Sequence, residues 1–377
     1  MKILIASLLK RAVNEKTLSS RPRIIFELIT GLVKKGHQVT MIGTADSQIP
    51  GVTTIPIIDK SFVELPAFEN PFYAETSFLV RLAKKVQEIG DQFDIIHNHT
   101  YPEFINPLIA QNLKTPFVTT IHAQVTPELD EVLSLFNNTY YISISQAHKN
   151  QFKKTKIFKV VYNGIDTSVY SFQEKKDDYL LWLGRMAKAK NADGTFMDPK
   201  GVRWAIKLAE ETNSRLLMSG NIEDMKFYDT DVKSHLSDKI QWVGSLSSEL
   251  VLTKPEVARL MQNAKAYLMP INWYEPFGLV IAEAMSCGTP VIGFNRGAVS
   301  ELIVDGKTGF VVPPENGIDG LKNALNKINQ IKPQDCRDHV VKNFSTQTMV
   351  DNYEKTYLEI IKQRQSYLRL SFKRVSP

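Results

Sequence analysis

Short apolar runs alternate with longer amphipathic stretches along nearly the whole chain, and this alternation constrains the fold more than any other feature. Strands joined by helix-length crossovers run parallel in βαβ units. The first set of expected strands is KILIAS (2–7), QVTMIG (38–43), DIIHNH (94–99), PFVTTIH (116–122), YYISIS (140–145) and KVVYN (159–163). The second is YLLWLG (179–184), RLLMSG (215–220), IQWVG (240–244), AYLMP (266–270), PVIGF (290–294) and GFVV (309–312). Between them SFQEKKDD (171–178) is charged and aperiodic, which reads as a linker. The expected class is α/β, with two Rossmann-like, doubly wound parallel-sheet domains at 1–170 and 179–350. RIIFELITGLVKKG (23–36) has the pattern of an amphipathic helix closed by Gly36. A long final helix is expected over about 346–365, with Met349, Tyr353, Tyr357, Ile360 and Ile361 on one face.

The stretch richest in chemistry is WYEPFGLVIAEAMSCGTPVIGF (273–294). Glu275 opens a Pro-Phe-Gly turn, and Glu283 falls inside the apolar helix LVIAEAM. An unpaired polar group in such a setting costs roughly 2–7 kcal/mol, which cores avoid and binding sites accept. If Gly278 starts the helix, Glu283 stands roughly 7–8 Å along its axis, at ~1.5 Å per residue. The helix amino end attracts anions through free N–H groups and its dipole. An anion seat between two hydroxyl-binding carboxylates suits a sugar, a diphosphate and a ribose, in that order.

This Glu-x7-Glu pattern resembles that of retaining glycosyltransferases with the GT-B fold, specifically family 4. DIIHNHT (94–100), TTIHA (119–123), ISISQAH (142–148), VVYNGID (160–166), LWLGRM (181–186), PKG (199–201), WVGSLS (242–247) and GAVSELIVDGKTGFVV (297–312) match the family in order. The resemblance runs from Met1 to about Tyr357. It implies the GT-B architecture, two such domains facing a central cleft, with a terminal segment (351–377) crossing back toward the first, acceptor-side domain.

The resemblance also implies roles. Arg185, after LWLG, and Lys200, before Gly201, would grip the diphosphate, with Lys190 the other candidate for the second cation. A planar guanidinium suits a bidentate phosphate grip. Phe277, Gly278 and Leu279 would lend N–H groups, Glu275 would hold sugar hydroxyls and Glu283 the ribose. Val243 and Gly244 would border the base. His122, ending TTIH, would point toward the donor sugar. His97 and His99 are expected on alternate faces of their strand, one of them lining the acceptor pocket, so zinc is not expected from the pair. The family's Gly-Gly loop after the first strand is replaced by Ser19-Ser20, followed by Arg21 and Arg23, at the end of a long loop. Ser19 and Ser20 would bind the donor through hydroxyl hydrogen bonds, and Arg21 or Arg23 could reach an anion, where the family's glycines would let the backbone approach closely. No metal or other cofactor is implied, and DTD (229–231) reads as a chance match to the metal motif of the other glycosyltransferase fold.

Composition adds bounds. The 377 residues provide ample material for two cores. Two cysteines, Cys287 and Cys336, form neither a framework nor a metal pattern, and suit a reducing compartment. No apolar run approaches the ~18 residues of a membrane span, and the start does not read as a signal peptide, so a cytoplasmic protein is expected. The net charge of +6 includes basic clusters at 149–159 and 372–374 that read as solvated faces, compatible with weak membrane-surface association. No nucleic-acid motif accompanies them. The donor class expected is a nucleotide-sugar, UDP-glucose-type first and GDP-mannose next, with a carbohydrate, lipid or small-molecule acceptor. A phosphorylase or nucleotide-sugar epimerase on the same fold, or a silent sugar-binding protein, are the competing readings. A nicotinamide enzyme is disfavoured because no G-x-G-x-x-G follows a strand.

Overall fold

The computed structural model describes residues 1–17, 19–246 and 252–373, with side chains through Ser366. Ser247 of WVGSLS and Arg374 of the terminal basic cluster lie outside the described residues. The chain divides into two compact units, Met1–Gly164 with Thr346–Pro377, and Ile165–Ser345.

The first unit is built on a parallel sheet of β1 (Lys2–Ala6), β2 (Gln38–Thr44), β3 (Thr53–Ile58), β4 (Ile95–Asn98), β5 (Phe117–Ile121), β6 (Thr139–Ser143) and β7 (Ile157–Val160). Their spatial order is β3-β2-β1-β4-β5-β6-β7. Strand order reverses at β1, where Ile3 pairs with Val39 on one side and Ile95 on the other. β3 was not among the expected strands. Pro56 interrupts it, and a proline is tolerated because β3 lies at the sheet edge.

The helix Ser20–Lys34 begins earlier than expected, with Pro22 accommodated in its first turn. It ends in a Schellman motif: Gly36 N–H donates to the Val33 carbonyl and His37 N–H to that of Leu32, with Gly36 at φ 83°. The final helix, Thr346–Lys373, buries Met349, Val350, Tyr353, Tyr357 and Ile360 in this unit. Gly31 permits that packing, since a Cβ there would stand 2.3 Å from Val350 Cγ2.

The second unit holds β8 (Leu180–Leu183), β9 (Leu216–Ser219), β10 (Ile240–Trp242), β11 (Ala266–Met269), β12 (Val291–Phe294) and β13 (Gly309–Val312), in the order β10-β9-β8-β11-β12-β13. All six expected strands are present, and the order reverses at β8. The segment 171–178 is not a free tether. Lys176 Nζ donates to the carbonyls of Gln262 and Cys287 and to Thr289 Oγ1 at 2.8–3.0 Å, and Gln173 N–H donates to the Cys287 carbonyl. A charged, aperiodic sequence hid this strap because its ammonium is satisfied by groups distant in sequence. Within this unit Ile165 and Ser345 form a parallel bridge, so the chain enters and leaves it side by side.

Both cysteines are buried, and burial pushes each thiol up to about 12. They are inert packing groups in this state. No described helix is long and apolar enough to cross a membrane.

Candidate active site

In open α/β sheets, ligands bind beyond the carboxyl ends of strands, at the point where strand order reverses. In the second unit that point lies between β8 and β11. Tyr267 of β11 ties the two together, its hydroxyl donating to the Leu183 carbonyl at 2.9 Å. Burial and the carboxylates of Glu283 and Glu275 hold that hydroxyl well above its usual range, so it stays a neutral donor.

The helix Leu279–Ser286 starts at Gly278, whose φ of 95° suits a residue without a Cβ. No side chain caps this end and no acidic residue stands in its first turn, so its first N–H groups face the approach to the helix. Glu283 is 3% exposed and Glu275 7%, two carboxylates drawn into one apolar region. Phe277 is buried edge-on against Phe344, while Leu279 is half-buried. Gly297 explains why a glycine opens the GAVSEL stretch. Its Cβ would stand 2.2 Å from the Glu275 carbonyl oxygen, and that carbonyl accepts the Ala298 N–H at 2.8 Å. The backbone of Glu275 is therefore clamped from behind.

Lys200 reaches this carboxylate, its Nζ standing 2.9 Å from Glu275 Oε2 and 4.4 Å above the Trp273 ring. Three devices fix its backbone. Trp182 Nε1 donates to the Lys200 carbonyl at 2.9 Å. Gly201, at φ 73°, lies so close to Pro270 that a Cβ would stand 1.9 Å from its carbonyl oxygen. Asp198 accepts the N–H groups of Gly201, Val202 and Arg203 at 2.8–3.0 Å, capping the helix Val202–Thr212. Burial raises the Asp198 carboxyl, with those three N–H groups opposing.

Other expected residues make the following contacts. Lys190 lies over the Phe196 ring at 4.6 Å. Arg185 follows β8 and is 58% exposed, paired with Glu223 at 2.9 Å. Val243 donates its N–H to the Met218 carbonyl, and Gly244 follows at φ 93°. Asp231 of DTD pairs with Arg203 at 2.6 Å. Ser19 is the N-cap of the helix Ser20–Lys34, but its side chain makes no capping bond.

In the first unit, His97 and His99 do not take opposite faces. Their ring centroids are 3.9 Å apart, because residues two apart on a strand share a face. His99 Nδ1 meets His122 Nε2 at 2.9 Å, and His99 Nε2 meets His97 Nδ1 at 3.2 Å. His97 continues to Tyr357 (2.6 Å) and Thr120 (2.8 Å), and Thr120 to Tyr353 (2.9 Å). Burial is the main cause holding all three imidazoles below their usual range, His99 at about 3, so the chain is neutral. His148 extends the buried set, pushed down to about 4.

The family model of glycosyl transferases group 1 matches residues 168–343, and that of glycosyltransferase family 4 matches residues 22–169. The chain belongs to the family 4 glycosyltransferases. The chain is 24% identical to N-acetyl-alpha-D-glucosaminyl L-malate synthase of Bacillus anthracis, over 89% of this chain and 93% of that one. In fold it is similar to sucrose-phosphate synthase of Thermosynechococcus elongatus, with TM-score 0.74 and 17% identity over 96% of this chain and 99% of the other. HepE of Anabaena in complex with UDP-glucose matches with TM-score 0.65 and 16% identity, over 95% and 100% of the two chains. These likenesses and the paired sheets give this glycosyltransferase the GT-B fold.

Sequence reasoning passed over Asp198, Trp273, Tyr267 and Glu103, the last of which pairs with Arg21 Nη2 at 2.9 Å in the first unit. Asp198 carried a signal, an acidic residue just ahead of an apolar helical run. The other three act through partners distant in sequence, which no local pattern announces.

Proposed function

We propose that this glycosyltransferase moves a hexosyl group from a nucleotide-diphosphate sugar to a hydroxyl acceptor, with retention and without a metal ion. The observation that carries the reading is the Lys200–Glu275 pair at the open end of the helix Leu279–Ser286, with Glu283 buried within it. Donor binding separates the pair. The ammonium turns to the diphosphate and the carboxylate to the sugar hydroxyls, while Glu283 takes the ribose. Breaking the anomeric C–O bond leaves an oxocarbenium-like sugar and a diphosphate whose new charge falls on Lys200, Arg185 and the helix N–H groups. The acceptor oxygen then bonds the anomeric carbon from the face that the diphosphate leaves, and the hydroxyl proton passes to the departing diphosphate oxygen. His122 is assigned to the donor sugar, and Val243 and Gly244 to the base. The preference for UDP-glucose over GDP-mannose draws support from the UDP-glucose bound by HepE. The setting proposed is the cytoplasm.

The test is a screen of UDP-, GDP- and ADP-sugars by thermal shift and donor hydrolysis, repeated with chelator. Glu275→Ala should abolish transfer with the fold intact. Unchanged turnover in that variant refutes the assignment. Consumption of free phosphate, or epimerised donor without acceptor, would favour the phosphorylase or epimerase reading.

A further inference from the structure

The helix Ser20–Lys34 has no acidic residue in its first turn and an N-cap side chain that makes no capping bond. Residues 7–23 carry Lys10, Arg11, Lys16, Arg21 and Arg23 against the single acid Glu15. Arg21 is built into this end rather than left on the surface. Its Nη2 pairs with Glu103 Oε1 at 2.9 Å, and the two side chains are 17% and 1% exposed. The Ala123 N–H donates to the same Oε1 at 3.3 Å, so the carboxylate is held from both sides. Tyr101, more than half exposed, lies over the guanidinium at 5.1 Å. Arg21 Nη1 is shielded from solvent and has no hydrogen-bond partner among the described residues. Leaving such a donor unmatched is unfavourable, and more so when it is charged. The charge of Arg21 also reaches the imidazoles of His99 and His122.

We propose that Arg21 is the anchor of an anionic acceptor, whose carboxylate or phosphate docks on the Nη1 edge at the amino end of the helix Ser20–Lys34 while Tyr101 swings aside. The proposal rests on the donor reading above. There the second unit already sets Lys200, Arg185 and a helix end against the donor diphosphate, so the basic first-unit loop answers a separate negative charge. The acceptor hydroxyl would then lie on the His122 side of the anchor. Glu103 keeps the fork in one orientation, and a guanidinium so held can offer two parallel donors to a planar oxyanion.

The full chain, first saturated with UDP to fill the donor site, is titrated with succinate and separately with inorganic phosphate at constant ionic strength. One of the two anions should bind, and which one does so separates a carboxylate from a phosphate acceptor. Arg21→Lys, which keeps the charge and a partner for Glu103, should weaken that binding about tenfold because it loses the fork. Tyr101→Ala, which clears the guanidinium without disturbing Glu103, should bind the anion at least as tightly as the wild type. UDP affinity should be equal in all three proteins. The proposal is overturned if neither anion binds, if Arg21→Lys binds it undiminished, or if that variant loses UDP by the same factor, since Arg21 is then a donor contact. If UDP fails to bind the wild type, the donor reading falls instead, and the same titration on the free chain still judges Arg21.

Discussion

Lowering the pH toward 5 should destabilise the first unit before most carboxylates of the protein titrate. His99 and His148 are buried neutral, at about 3 and about 4, against an ordinary value of 6.5. In the unfolded chain both take up protons below that ordinary value, while the folded state refuses them until its own lower values are reached. Stability is therefore complete above pH 6.5 and declines as pH falls toward 3–4. Integrating that difference down to pH 5 gives ~2 kcal/mol for each, or ~4 kcal/mol together. His97 and His122 are lowered in the same sense and steepen the loss. With a urea slope of about 2 kcal/mol per molar, the midpoint should fall by ~2 M between pH 7.5 and 5. Tyrosine fluorescence during urea unfolding measures the midpoint, and imidazole nitrogen shifts report each titration. A midpoint constant over this interval, or a His99 ring protonating near its ordinary value, refutes the reasoning.

Lys200→Ala strands the 7%-exposed Glu275 without its cation and removes the phosphate contact proposed above, so kcat should drop by roughly 10²–10³; steady-state rates with saturating donor check this. Glu283→Ala should act mainly on donor KM through the ribose, and an effect confined to acceptor KM would contradict that role. Two glycines at positive φ should separate strain from clash. Gly36→Ala, with nothing within 4 Å of its Cβ, should cost about 1 kcal/mol. Gly201→Ala drives a methyl into the Pro270 carbonyl and should cost roughly 3 kcal/mol or more, and urea melts of the two compare them directly.

The alternation of apolar runs and amphipathic helices made both sheets legible, because strand and helix periodicities are written locally. β3 escaped since Pro56 breaks the pattern that marks a strand, and only its edge position makes the break tolerable. The buried acids at 275 and 283 were legible for the opposite reason, as an ionisable residue in an apolar run contradicts its surroundings. What stayed hidden was pairing at long range. Neither Lys200 resting on Trp273 nor Arg21 held by Glu103 leaves a trace in spacing. The histidines of HNH were misplaced through the strand period itself, which aligns alternate residues on one face rather than parting them.

The contact between Lys200 and Glu275 is self-neutralising. A bare phosphate could satisfy the ammonium only by orphaning the acid, and a free sugar could engage the acid only by orphaning the ammonium. On the proposed reading, a molecule bearing both groups at the right separation escapes either penalty. The pair thus works as a coincidence detector, rejecting the abundant fragments of its own substrate.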